Sequence, residues 1–274
     1  MIKSLKIGNK EFQIGEKTYI MGILNVTPDS FSDGGSFNQI EAALKHTEDL
    51  IKEGTHIIDI GGESTRPDYT MVSVEQEIER VAPVIESIKK NFDVPVSIDT
   101  YKSGVAKAAI LAGADMVNDI WGLKYDTHMA EVIQKYDVPV CIMHNRPNMD
   151  YSNFMEDAIA DLKESIDIAK KSNVDLNKIM IDPGIGFAKT YEMNVEMLGR
   201  MEELFCFDMP ILLGTSRKSV IGMTLDLPVT EREEGTIATS VIGVMKGCHF
   251  LRVHNVKGNI RAVKMAEAIK YWNK

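Results

Sequence analysis

The chain has 274 residues, 44% apolar and 26% charged, which suits one large α/β barrel or two small domains with a sizeable core. Its formal charge of −9 argues against non-specific nucleic-acid binding but not against an anionic small molecule, because local charge decides that. No apolar run approaches the length of a bilayer span and the first residues, MIKSLKIGNKEF, carry no signal-peptide core. A cytoplasmic protein with no membrane or nucleic-acid partner is expected. Cys141, Cys206 and Cys248 are scattered without metal spacing, and two of them sit in apolar strand-like runs as buried thiols would in a reducing compartment.

In chain order, residues 1–19 alternate apolar and polar side chains around Gly8-Asn9, which predicts a short N-terminal β-hairpin closing the bottom of a barrel. Strand-like runs then recur at Tyr19–Asn25, His56–Gly61, Val94–Asp99, Asp115–Asn118, Val138–Met143, Lys178–Asp182, Pro210–Gly214 and His249–His254. Helical patterns lie between them at Glu41–Glu53, Val74–Lys89, Asn153–Lys171, Glu233–Lys246 and Lys257–Tyr271. Eight strands roughly 20 to 40 residues apart, alternating with helices, predict a parallel (β/α)₈ TIM barrel. An open doubly wound sheet is the alternative; the first strand lacks the Gly-x-Gly-x-x-Gly that a dinucleotide fold would show. With no linker or low-complexity segment, residues 1–274 read as a single domain.

The strand ends carry the chemical signal. The apolar runs finish in Asn25, Asp59, Asp99, Asn118-Asp119, Met143-His144, Asp182, Gly214-Thr215-Ser216-Arg217-Lys218-Ser219 and Arg252-Val253-His254-Asn255. A lone Asp or Asn there ordinarily caps a helix or forms an Asx turn. Eight polar terminations exceed what capping needs, and in a barrel they converge at one mouth. Ser216, Lys218, Arg252 and His254 follow strands seven and eight, a frequent phosphate position. Asp99 and Asp182 with Asn118 suit a heterocycle whose paired N–H groups match a carboxylate. A phosphorylated heterocyclic substrate is therefore expected. No Gly-x-Ser-x-Gly, no His-Glu-x-x-His and no strand lysine placed for a Schiff base supports another chemistry. His56 and His249 begin strands, at the stable face, and receive no functional role.

Seven motifs in order resemble the dihydropteroate synthase family: GILNVTPDSFSDGG at 22–35, GGESTRP at 61–67, SIDT at 97–100, VNDI at 117–120, DPGIGF at 182–187, SRKS at 216–219 and RVH at 252–254. The resemblance covers nearly the whole chain. It implies condensation of 4-aminobenzoate with 7,8-dihydropterin-6-ylmethyl diphosphate, releasing diphosphate, in folate biosynthesis. It further implies that Asn25 places Mg²⁺ with the diphosphate, and that Thr65, Arg66, Arg252 and His254 lie near anionic groups. Asp99, Asn118, Asp182 and Lys218 would line the pterin pocket, with Met143 and Phe187 packed near it. Lys218 and Ser219 would meet the aminobenzoate, while loop 61–67 and a mobile first loop, Val26–Gly35, fold over it. Asn25, Asp99, Lys218, Arg252 and His254 form the implied catalytic set. A homodimer through the barrel helices is the family's usual assembly.

Three positions depart from the commonest family pattern: Asp68 and Ala188 stand where glycine is usual, and Asn255 where aspartate is common. Ala188 is tolerable unless its backbone needs a positive φ. Two other readings are a methyltetrahydrofolate-dependent corrinoid methyltransferase and a non-catalytic pterin-binding paralogue. The first would not need the first-loop motif or the SRKS and RVH anion set.

Overall fold

The computed structural model describes residues 2–27, 36–63 and 71–273, with side chains of 36–38 outside the description. Thr65, Arg66 and Asp68 therefore lie outside the described residues, as does the first loop from Pro28 onward.

A two-stranded antiparallel hairpin, β1 (Ser4–Ile7) and β2 (Lys10–Gln13), comes first and turns at Gly8-Asn9. The parallel strands follow as β3 (Tyr19–Asn25), β4 (Ile57–Gly61), β5 (Val96–Asp99), β6 (Met116–Asp119), β7 (Val140–Met143), β8 (Ile179–Asp182), β9 (Leu212–Leu213) and β10 (Phe250–Val253). Their order is β8-β7-β6-β5-β4-β3-β10-β9, and an Ile181–Ile211 bridge joins the two ends. The sheet is thus a closed barrel, and the open doubly wound alternative is excluded. Strand bounds fall within two residues of the sequence expectation at every barrel strand.

Helices fill the connections: α1 (Ser36–Glu53), α2 (Val74–Asn91), α3 (Ser103–Leu111), α4 (Met129–Tyr136), α5 (Phe154–Lys171), α6 (Tyr191–Gly199), α7 (Ser219–Leu225), α8 (Glu233–Lys246) and α9 (Val256–Lys270). The five helices expected from periodicity are present. α3, α4, α6 and α7 were not expected, because each spans nine residues or fewer and shows too little of a repeat. α2 starts on a reciprocal cap: Ser73 Oγ accepts from the Gln76 N–H and Gln76 Oε1 from the Ser73 N–H.

Strand parity divides the apolar core in two. Outward residues such as Ile20, Leu24, Ile58, Ile60, Ile98, Val117, Ile142 and Ile181 pack under the helices. Inward residues at the lower end, Met21, Ile57, Met116, Cys141, Met180, Leu212 and Phe250, form a separate cluster with Leu5, Ile7 and Phe12 of the hairpin. The hairpin is the plug of the barrel's N-terminal mouth, as its alternation predicted. His56 and His249 stand at that end; the Nδ1 of each accepts a backbone N–H, from Ile20 and Ile211, both at 3.0 Å. Because the inward parity continues up each strand, the upper inward positions are Asn25, Gly61, Asp99, Asn118, Met143, Asp182 and Arg252.

Candidate active site

Arg252 sits across the barrel's interior with its guanidinium between two carboxylates. Its Nε donates to Asp59 Oδ2 and its Nη2 to Asp99 Oδ2, each at 2.5 Å. Asn118 Nδ2 donates to the same Asp59 oxygen at 3.3 Å. Asp59 is fully buried. Burial lifts Asp99 above the usual carboxylate range; Arg252 pulls it back and the neighbouring Asp59 pushes it further up. Arg252 stays charged, held by both carboxylates. The second oxygens, Asp59 Oδ1 and Asp99 Oδ1, are buried and have no hydrogen-bond partner. Buried acceptors of this kind call for a donor that the described side chains do not supply.

Asp182 and Lys218 form the opposite side. Asp182 Oδ1 accepts the Gly184 N–H at 2.7 Å, and burial raises its pKa against the pull of Lys218. A Cβ built on Gly214 would meet Asp182 Oδ2 at 3.7 Å, Arg252 Cβ at 3.8 Å and Lys218 Nζ at 3.9 Å. These groups of β8, β9 and β10 therefore surround one small space. Lys218 Nζ donates to the Ile185 carbonyl and lies 4.8 Å from the centre of the Phe187 ring. Burial pulls its pKa down to about 8, while Asp182 and Asp99 support the charge. Met143 is buried with Tyr101 and Ile120, and Phe187 and Trp121 pack against them, forming an apolar wall.

At the rim, the Ser216 hydroxyl accepts the His254 N–H at 3.2 Å and lies 2.9 Å from its Nδ1. Ser219 is exposed at the first turn of α7. Asn25 Oδ1 would be 3.6 Å from a Cβ at Gly61, and Asp99 Oδ2 3.8 Å from it, so an amide oxygen and a carboxylate flank this glycine. Among the described residues no group of three His, Cys, Asp or Glu side chains is placed to hold a metal. The donor set fits Mg²⁺ only as an ion that keeps water and takes phosphate oxygens, with the hard oxygen of Asn25 as the protein's share.

Comparison with known proteins decides the family. The model described as pterin binding enzyme matches residues 21–254. The chain is 60% identical over 266 residues to a dihydropteroate synthase from Clostridium beijerinckii, covering 97% of this chain and 99% of that protein. It is 52% identical to one from Bacillus subtilis, covering 93% of this chain and 89% of the relative. A crystal structure of the Clostridium difficile dihydropteroate synthase, obtained in the presence of pteroic acid, superposes with a TM-score of 0.92 at 51% identity, over 94% of this chain and 98% of that one. A Xanthomonas albilineans dihydropteroate synthase with 4-aminobenzoic acid gives 0.93 at 36% identity, covering 99% of each chain. The chain belongs to the pterin-binding enzymes, among the dihydropteroate synthases. It is a transferase of folate biosynthesis.

In this pterin-binding chain, sequence reasoning brought Asp99, Asn118, Asp182, Lys218 and Arg252 to one floor, with Met143, Phe187 and Asn25 around it. It counted Asp59 among the polar strand ends but gave it no role, although Asp59 shares the inward parity of Ile57 and Gly61. It also left out Lys189, which is 8% exposed and lies between His144 and the 182–188 loop. Ala188 has φ +44°, so the condition attached to that departure is met: alanine stands in the left-handed region that glycine occupies without strain. Asn255 caps α9 by accepting the Gly258 N–H at 2.9 Å, a task asparagine performs as well as aspartate.

Proposed function

We propose that the floor of this barrel binds 7,8-dihydropterin-6-ylmethyl diphosphate and that the chain transfers its pterin-methyl group to 4-aminobenzoate. The observation that carries the reading is the pairing of unpartnered buried oxygens on Asp59 and Asp99 with the Asp182–Lys218 pair across the same mouth. A pterin offers amino and ring N–H donors on one edge and a carbonyl acceptor nearby, which suits carboxylates on one side and an ammonium on the other. The Met143 and Phe187 wall suits the flat face of the ring.

In the reaction the aniline nitrogen bonds to the methylene carbon, the carbon–oxygen bond to diphosphate breaks, and the nitrogen then loses a proton. The aniline is a weak nucleophile, so the barrier falls mainly through departure of the diphosphate. Positive charge spreading into the pterin is stabilised by Asp99 and Asp182. Arg252, His254, Thr65 and Arg66 are assigned to the anion, and Lys218 and Ser219 to the aminobenzoate. Asn25 is assigned to Mg²⁺, whose charge would stabilise the leaving diphosphate. Closure of the first loop over the site would exclude water.

A homodimer belongs to the same reading. It is supported by exposed Ile242 and Met245 on α8 and Met265 and Ile269 on α9, and sedimentation analysis tests it. A cytoplasmic setting is also proposed, consistent with three free cysteines. The activity is tested by measuring diphosphate release with and without 4-aminobenzoate. Release that requires aminobenzoate and added Mg²⁺ supports the reading. Absence of aminobenzoate-dependent release would overturn it in favour of a non-catalytic pterin binder.

A further inference from the structure

Behind the Asp182–Lys218 side lies a buried lysine that the proposed reaction does not use. Lys189 is 8% exposed, and its ammonium directs donors at three acceptors. These are the Gly184 carbonyl at 2.8 Å, the Phe187 carbonyl at 3.0 Å and His144 Nδ1 at 2.7 Å. Burial pulls the Lys189 pKa down to about 7; facing two carbonyls and a ring nitrogen calls for the protonated form, whose three N–H donors are then all taken. His144 in turn faces Asp161 through Nε2 at 3.1 Å, and Asp161 accepts from Arg146 Nε at 2.5 Å. With Nδ1 accepting from an ammonium, the imidazole carries its proton on Nε2 and donates it to Asp161. Burial holds His144 down at about 4, so it stays neutral in this position.

The three acceptors bracket the loop that shapes the pterin-facing side. Gly184 donates to Asp182, Ile185 accepts from Lys218, and Phe187 carries the ring under the Lys218 ammonium. The loop needs a tie because its backbone is unusual: Gly184 and Gly186 have φ of +68° and +83°, and Ala188 has +44°. It also passes so close to β7 that a Cβ on Gly184 would lie 1.9 Å from the His144 carbonyl oxygen. One ammonium thus holds both ends of the turn against the strand beside it.

We infer that Lys189, braced by His144 and Asp161, is a positioning residue that fixes the 184–187 loop so that Asp182 and Lys218 together present a formed pterin site. The inference rests on the proposed function, because pterin is the ligand it names. The anion-binding residues Asn25, Arg252 and His254 stand on other strands, so the effect falls on the pterin and not on diphosphate.

The test uses the full chain and measures binding of the pterin diphosphate and of inorganic diphosphate with Mg²⁺ by calorimetry. The wild-type protein comes first. If it binds no pterin, the proposed function fails and this inference with it. If it binds, Lys189→Met is expected to weaken pterin affinity at least about tenfold, with diphosphate affinity within about twofold. Pterin affinity unchanged in Lys189→Met overturns the inference alone. Should Lys189→Met fail to fold, Lys189→Arg and His144→Asn carry the test. Arginine keeps the charge but cannot converge three donors from one nitrogen, so it is expected to restore folding without restoring pterin affinity. Asparagine at 144 keeps an acceptor near Nδ1 and is expected to retain most pterin affinity. Full rescue of pterin affinity by arginine, or parallel loss of both ligands in folded variants, would show a general structural role and overturn the inference. Nitrogen-15 spectra of His144 give an independent readout: Asp161 keeps the proton on Nε2 in both proteins, while the Nδ1 resonance is expected to move in Lys189→Met because Nδ1 loses its donor. An Nδ1 resonance unmoved by that substitution counts against the tie.

Discussion

Asp59→Asn separates the floor's electrostatics from its shape. The side chain is fully buried and accepts from Arg252 at 2.5 Å and from Asn118 at 3.3 Å. Asparagine keeps the volume and one acceptor oxygen but removes the charge. Breaking a buried ion pair outright costs about 3–5 kcal/mol, and a hydrogen bond to a charged group is worth about 1.5–3 kcal/mol. Because Asp99 still holds Arg252 Nη2, the expected loss is at the lower end, about 2–3 kcal/mol, or roughly 4–12 °C in melting temperature. The same change acts on Asp99. Burial and the Asp59 charge push Asp99 up to about 7. Its native form therefore holds a proton that the unfolded chain has lost, and folding stability falls as pH rises from the ordinary carboxylate value to the raised one. Removing the Asp59 charge lowers the native pKa and narrows that window. If pterin binding uses ionised Asp99, wild-type affinity falls as pH drops through about 7, and the variant retains affinity to lower pH. Chemical denaturation and calorimetry with the pterin diphosphate at a series of pH values read both effects. An unchanged melting temperature together with an unmoved pH midpoint would refute the reasoning about Asp59 and Arg252.

Asp182→Asn and Asp99→Asn should each weaken pterin diphosphate binding about tenfold or more, as expected for loss of a charge-assisted hydrogen bond; near-normal affinity by calorimetry counts against the pocket assignment. Acid should destabilise the fold through His56, His144 and His249, each held down at about 4 by burial and each engaged as an acceptor at Nδ1. Their native pKa values lie below 6.5, so the native state binds fewer protons, and the contribution is complete above about 6.5 and lost as pH falls toward 4. Denaturation curves flat across that range would contradict the sign. Ala188→Gly should raise stability by about 0.5–1 kcal/mol, relief of the left-handed strain outweighing the extra freedom of glycine when unfolded. A lower melting temperature in that variant would show that Ala188 is not strained.

Most of the site was legible because a barrel turns strand parity into location. Asn25, Asp99, Asn118, Met143 and Asp182 each end an apolar run, and that position in a parallel barrel is the C-terminal mouth. Asp59 showed as a polar strand end but without its partner. It lies inside its strand, two residues before the end, where a polar residue looks like a local exception and not like half of a pair. Lys189 was hidden for another reason: a lysine in a Gly-rich loop reads as solvated, and only burial against His144 makes it a tie. α3, α4, α6 and α7 were too short to declare a period.

By itself the sequence determined the eightfold alternation of strands and helices, the hairpin plug and the inward facing of the polar strand ends, because side-chain period and strand polarity are local properties. The tertiary structure alone decided which charges meet. Arg252 reaches Asp59 and Asp99 across separations of 193 and 153 residues, and no local pattern encodes that one guanidinium must satisfy two carboxylates. Barrel closure brings β10 beside β3, so the last strand's arginine faces the interior carboxylates of the early strands. That meeting leaves two buried oxygens without a hydrogen-bond partner.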